Sequence, residues 1–202
     1  MATNPKPQAP WGEYVARVGP MTVEQFAVFP SEDGWTYELY NGRLISIPGP
    51  GFHHAQLQMR LGLLIQPFLT DHQLGSIVGT SCYNLPLPNN TEVVLCPDLS
   101  YIHPTRQIHM QIRGSYPVLA PDLVIEIASP NDYHPQLFDK VQTYLASGVR
   151  LIWVVWPDPQ TVEVWRPNLP AKPTAILSSN DTLDGLDMIP GFQCPVKDIF
   201  EP

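Results

Sequence analysis

The sequence predicts an α/β (α+β) fold in which helices pack on β-sheet. Short apolar runs rich in β-branched residues recur along the chain. The run PDLVIEIASP, residues 121–130, is bounded by proline at both ends and reads as a buried central strand. Two other stretches, residues 53–69 and 135–147, space their apolar residues at the helical period. The 24 prolines mostly punctuate the apolar runs, which suits a β-rich chain with many turns.

In chain order, Thr22-Val23-Glu24-Gln25 has the form of a capping box and predicts a short helix to about residue 29, ended by Pro30. Residues 31–34 read as a turn. Trp35–Tyr40 and Leu44–Ile47 read as hairpin strands around Asn41-Gly42, a dipeptide suited to a tight turn. Pro48-Gly49-Pro50-Gly51 breaks the chain. Leu57, Leu61, Leu64, Ile65 and Phe68 then form the apolar stripe of the longest helix. Strands are expected near residues 77–85 and 93–102, then an irregular segment over 103–120. After the central strand, residues 129–132 turn the chain into a helix from about Pro135 to Ser147, with proline in its first turn and Gly148 at its C-terminal cap. Leu151–Trp156 is a second buried strand and Thr161–Trp165 its hairpin partner. A strand near Ala175–Leu177 and the tail Gly191–Phe200 close the chain.

At 202 residues the chain can bury one sizeable core, expected over residues 21–202, with a frayed proline-rich segment at 1–20. Its net charge of −8 does not attract nucleic acid as a whole, so such binding needs a local basic stripe or bound cations. Arg43, Arg60, Arg106, Arg113 and Lys140 are the candidates for one cleft. The longest apolar run, Leu151–Trp156, is too short to span a bilayer, and no basic-then-apolar signal segment opens the chain. Cys82, Cys96 and Cys194 are odd in number, widely spaced and without a CxxC pair, which points to reduced thiols in a cytoplasm.

Asp122 and Glu126 lie four residues apart in the central run, so strand alternation puts both on one face. A buried carboxylate is costly unless it is paired or bound to a cation. Glu126, between Ile125 and Ile127, is the residue whose purely structural explanation is weakest. A similar segment, Pro97-Asp98-Leu99, precedes it. If the two strands are antiparallel neighbours, Asp98 at the start of one lies beside Glu126 near the end of the other. Asp122 would be about 13 Å from Glu126, at roughly 3.3 Å per residue. This selects Asp98 with Glu126 as a chelating pair and leaves Asp122 in a second tier. Lys140, at the edge of the next helix's apolar face beside Tyr144, is placed to reach back over the sheet.

Two carboxylates and a lysine suit metal-assisted phosphodiester hydrolysis. A hard cation such as magnesium takes oxygen ligands, keeps several waters and lowers the pKa of one of them. The lysine orients that water and stabilises charge developing on the phosphoryl oxygens. Each residue also has a plainer role: a turn cap for Asp98, a structural contact for Asp122, a snorkelling helix edge for Lys140, a solvated hairpin position for Glu38, a cap or polar surface for His53 and His54. Ser129 lacks the GxSxG elbow of a serine hydrolase, and no phosphate-cradling glycine loop is present.

The order PDLVIEIASPND, then Lys140, Tyr144, Gly148-Val149 and LIWVVWP, resembles the Uma-two family of restriction endonucleases in the PD-(D/E)XK nuclease superfamily. Tyr37-Glu38-Leu39 with Asn41-Gly42-Arg43, His54 opening the long helix, Pro97-Asp98, and the tail from Pro190-Gly191-Phe192 to Phe200 fit as well, so the resemblance runs roughly from Thr22 to Phe200. It implies a restriction-endonuclease-like fold, a central mixed β-sheet flanked by helices. It also implies that Asp98 and Glu126 bind the metal, with Ile127 beside them, that Glu38 is an accessory acid and that His54 belongs to the second tier. The superfamily's lysine usually lies two residues after the glutamate. Here that position is Ala128, and the resemblance moves the lysine to Lys140. The reading that follows is a magnesium-dependent endonuclease, with manganese as a substitute, that cleaves DNA as a homodimer away from membranes. The alternatives are a binding or assembly protein that keeps the fold without turnover, and a hydrolase of a small phosphorylated substrate, for which a narrow closed pocket would speak.

Overall fold

A computed structural model describes residues 13–14, 20–30, 32–88, 91–107, 110–113, 115–129 and 134–201. Most of the segment expected to be frayed lies outside these residues, but within it β1 (Glu13–Tyr14) pairs antiparallel with Ser46 and Ile45. Helix α1 (Val23–Ala27) starts from the expected capping box: Gln25 N–H donates to the Thr22 hydroxyl and Thr22 N–H to the Gln25 side chain. Strands β2 (Trp35–Tyr40) and β3 (Arg43–Pro48) form the expected hairpin. Asn41 and Gly42 take φ of 51° and 74°, the paired positive values of a type I′ turn. Helix α2 (Phe52–Asp71) buries Leu61, Ile65 and Leu69.

Each of the next two expected strands is broken in two. The chain gives β4 (Ile77–Gly79), β5 (Tyr83–Asn84), β6 (Val93–Leu95) and β7 (Leu99–Tyr101) because it crosses twice between sheets. Pro97, which has no N–H for a ladder, sits at the second crossing. The segment expected to be irregular holds a turn of helix, α3 (Pro104–Gln107), and a hairpin, β8 (Gln111–Arg113) with β9 (Tyr116–Val118). Then follow β10 (Leu123–Ile127), α4 (His134–Ser147), β11 (Leu151–Trp156), β12 (Thr161–Trp165), β13 (Ala175–Leu177), β14 (Thr182–Asp184), β15 (Gln193–Pro195) and α5 (Lys197–Phe200).

Two mixed sheets are flanked by these helices. One has six strands in the order β13-β12-β11-β10-β7-β4, with β10 and β11 parallel. The other has seven in the order β1-β3-β2-β6-β5-β9-β8, with β5 and β9 parallel. Along β10 the odd residues Leu123, Ile125 and Ile127 pack with Leu61, Ile65 and Leu69 of α2. The even residues Val124 and Ala128 pack with Val141 and Tyr144 of α4. Asp122 and Glu126 thus share the α4 side of the strand, as strand alternation requires. Helix α4 ends at Gly148, φ 102°, where Gly148 N–H bonds the Leu145 carbonyl and Val149 N–H the Tyr144 carbonyl, a Schellman cap.

The cysteines depart from expectation. Cys82 and Cys96 form a disulfide with their Cα atoms 4.0 Å apart, and Cys194 is free and buried. Tyr83 pairs with Leu95 across β5 and β6, so the positions just outside that pair are cross-strand neighbours despite a sequence separation of 14. Count and spacing along the chain carry no information about such a pairing.

Candidate active site

Strands β7 and β10 are antiparallel neighbours, with Leu99 opposite Ile125. Asp98, one residue before Leu99, therefore lies beside Glu126 and Ile127, and its Oδ2 accepts the Ile127 N–H at 2.7 Å. The other oxygen, Oδ1, lies 2.8 Å from His54 Nε2 in the first turn of α2, and Ser129 Oγ lies 3.4 Å from the second ring nitrogen. Gln58, one turn further along α2, donates to the Asp98 carbonyl at 2.7 Å and to the Thr80 hydroxyl at 2.8 Å. Asp98 is thus fixed through both its main chain and its side chain.

Glu126 is held from α4. Lys140 Nζ lies 3.0 Å from Oε1 and 3.1 Å from Oε2, and the Tyr144 hydroxyl donates to Oε1 at 2.7 Å. Lys140 and Tyr144 are four residues apart and therefore share one face of the helix. Lys140 also meets Glu38 Oε1 at 3.0 Å, and the Cys96 N–H donates to the same oxygen at 2.7 Å. Glu38 is fully buried rather than solvated on its hairpin. Its second oxygen, Oε2, is buried without a hydrogen-bond partner among the described residues.

Burial pushes the Glu126 carboxyl up to about 8; Lys140 opposes this, while Asp98 and Glu38 add to it. Burial alone would lower Lys140, but Glu126, Glu38 and Asp98 outweigh it and hold its ammonium above the usual lysine range. Burial, with Glu126 beside it, raises Tyr144 well above the usual phenol range, so Tyr144 acts as a donor.

Asp98, Glu126 and Lys140 meet at a cleft also lined by His54, Ile127 and Ser129, with Ile47, Pro48, Pro50 and Leu137 as its apolar wall. Asp122 lies elsewhere. It accepts the His103 N–H at 2.8 Å and pairs with Arg106 at 2.7 Å and with Arg150, so it ties together loop, helix α3 and the start of β11. Arg106 is therefore bound to Asp122 and does not line the cleft; Arg43 is exposed at its hairpin turn, and Arg60 lies on another face of α2 beside Phe52 and Met59. The side chain of Arg113 lies outside the described residues. His53 is exposed.

Among the described residues no three His, Cys, Asp or Glu side chains form a cage for an ion. The available donors are two hard carboxylates on the cleft wall, Asp98 and Glu126, with a third carboxylate, Glu38, behind Lys140. Three acids around one ammonium leave negative charge in a largely buried place, and the orphaned Glu38 oxygen is part of it. This set fits a cation that binds one or two protein carboxylates and keeps several waters.

The family model described as "putative restriction endonuclease", Uma2, matches residues 23–197. The chain belongs to the Uma2 family. A crystal structure described as a putative nuclease of DUF820, from Anabaena variabilis ATCC 29413, superposes with a TM-score of 0.74 at 22% identity, over 90% of this chain and 98% of that one. It is a likeness of fold. No curated protein matches. In this Uma2 chain, Ala128 faces α4, and Lys140 meets Glu126 from that helix. Contacts that sequence reasoning left unseen include the Tyr144 hydroxyl on Glu126, the Cys96 N–H and Lys140 on Glu38, Gln58 on the Asp98 carbonyl, and Ser129 next to His54. The four-residue step from Lys140 to Tyr144 was the one signal in the sequence for the first of these.

Proposed function

We propose that this Uma2 protein is a magnesium-dependent endonuclease that hydrolyses DNA phosphodiester bonds, with manganese able to substitute. The observation that supports this most is the meeting of Asp98, Glu126 and Lys140 on one cleft, with Lys140 Nζ 3.0 Å from Glu126 Oε1. Asp98 and Glu126 are the metal-holding side chains, with the Ile127 main chain beside them. The bound cation supplies Lewis-acid polarisation and an acidified water. Lys140 aligns the attacking water and stabilises negative charge on the phosphoryl oxygens, the role expected of a cationic donor in a water-poor site. Glu38 holds Lys140 from behind. Asp122, an ion-pair hub away from the cleft, carries no part of the chemistry. Residues 21–202 act as one domain, and the active protein is a homodimer. Placement in the cytoplasm rested on reduced thiols, and the joined Cys82 and Cys96 no longer support it.

The test is cleavage of supercoiled and single-stranded DNA with magnesium or manganese, comparing wild type with Asp98→Ala, Glu126→Ala and Lys140→Ala. Loss of at least about a hundredfold in each folded variant is expected. Cleavage that survives in Glu126→Ala sinks the assignment. A second reading, hydrolysis of a small phosphorylated substrate, is favoured by one observation. Among the described residues lining the cleft, Lys140 is the one lysine or arginine, whereas a groove that tracks a nucleic-acid backbone carries several. Turnover of a chromogenic phosphodiester by a protein inert on every DNA form would select that reading.

A further inference from the structure

We propose that Tyr144 is the positioning residue that keeps Glu126 aimed into the cleft when Lys140 lets go of it. This rests on the metal-dependent reading above and deepens it.

A lysine ammonium has three N–H donors and no acceptor. Lys140 directs its contacts at three carboxylate oxygens: Glu38 Oε1 at 3.0 Å, Glu126 Oε1 at 3.0 Å and Glu126 Oε2 at 3.1 Å. All three donors are thereby committed to acids. To align a water or meet a phosphoryl oxygen, Lys140 must release at least one of them. Glu38 is fully buried behind it and also tied to the Cys96 N–H, so the contact that can open is the one to Glu126 on the cleft wall.

Tyr144 is built to stay. Its hydroxyl donates to Glu126 Oε1 at 2.7 Å, and the side chain is completely buried. Its carbonyl accepts both the Val149 N–H at 3.0 Å and the Ser147 hydroxyl at 2.8 Å, so the helix cap pins the main chain that carries the ring. A neutral hydroxyl is also indifferent to a cation arriving on the same carboxylate, whereas an ammonium is repelled by it. Glu126 therefore has two donors from one face of α4: a charged one that leaves for the reaction and a neutral one that holds the carboxylate in place. Groups that orient a ligating carboxylate in this way typically contribute 10–100-fold in metal affinity.

Manganese binding to the full-length protein, followed by isothermal titration calorimetry and by the electron paramagnetic resonance of free Mn²⁺, reads this directly without turnover. Wild type, Tyr144→Phe, Lys140→Met and Glu126→Gln are compared, with melting temperatures recorded alongside. Tyr144→Phe is expected to weaken Mn²⁺ binding about tenfold, Lys140→Met to keep or tighten it, and Glu126→Gln to abolish it. Wild-type affinity in folded Tyr144→Phe overturns the inference and leaves the nuclease reading standing. Absence of Mn²⁺ binding in wild type overturns both. If Tyr144→Phe folds poorly, 3-fluorotyrosine at the same position retains the ring and changes only the strength of the donor. A shift in Mn²⁺ affinity there supports the assignment, and an unchanged affinity overturns it.

Discussion

Lys140 and Glu126, fourteen residues apart in sequence, meet with Nζ 3.0 Å from Oε1, and both side chains are only 8% exposed. The contact crosses from helix α4 to strand β10, and the further contact to Glu38 reaches β2 of the other sheet. One ammonium thus bridges acids from two sheets. Lys140→Met leaves both acids buried without it and is expected to cost about 3 kcal/mol, the usual scale for breaking a buried pair from one side. Urea denaturation of the two proteins at the same pH checks this. A loss below about 0.5 kcal/mol, the range of neutral surface substitutions, would mean that the pair is not buried as described.

Asp122 predicts an acid limb of stability. Burial alone would raise its carboxyl, but the His103 N–H, Arg150 and Arg106 outweigh burial and hold it below the usual aspartate value. A carboxyl with a depressed folded-state pKa contributes stability that is fully present above the unfolded value, about 3.9, and is lost as pH falls through the folded value. Asp122→Asn should be less stable by about 3 kcal/mol at pH 7 and should lack that part of the wild-type decline below pH ~4. Parallel denaturation curves for the two proteins from pH 5 downward would contradict it.

Gly185 is a steric requirement. A Cβ there would overlap the Ile189 carbonyl oxygen and lie 2.8 Å from Ile189 Cβ. Gly185→Ala should destabilise the protein by about 1–3 kcal/mol through overpacking. Gly62, with nothing within 4 Å of its added Cβ, is the control. Gly62→Ala in the interior of α2 should be neutral or stabilising by up to about 1 kcal/mol. Thermal melts of the pair should move in opposite directions or differ by several degrees.

Thiol titration separates the cysteines. The Cys82–Cys96 bond and buried Cys194 predict no rapid alkylation of the native protein, because burial, with Asp198 nearby, raises the Cys194 thiol to about 11 and the thiolate is the nucleophile. Unfolding without reductant should expose one thiol, and unfolding with a dithiol should expose all three cysteines, read as mass increments from iodoacetamide. Three increments without reductant would exclude the bond.

Local chemistry was legible where it is written in neighbouring residues. Thr22 with Gln25 caps α1, Asn41-Gly42 turns the hairpin and Gly148 closes α4 because each depends on contacts within a few residues. The side chosen by Asp122 and Glu126 followed from strand alternation alone. What distant segments do to one another was not legible. Glu38 reads as a solvated hairpin residue until β6 and Lys140 cover it. Cys82 meets Cys96 only through the β5–β6 register. Asp122 reads in sequence as a second-tier acid with a structural role, but its partners were not legible, because Arg106 and Arg150 arrive from segments whose paths local pattern does not fix.

The pairing of Leu99 with Ile125 decides more than which strands touch. Asp98 and Glu126 stand together because each lies one step from that pair, on the same side of the pleat. Step parity therefore governs the site. Inserting one residue into β7, or removing one from β10, would swing an acid to the α2 face while leaving the ladder free to reform. An insertion of two would restore the facing but leave Asp98 about 7 Å further along the strand from Glu126, at roughly 3.3 Å per residue. The arrangement behaves like a reading frame in which both facing and register must be right, and one-, two- and three-residue insertions in β7 would all lose activity, the odd ones through the wrong face and the two-residue one through lost reach.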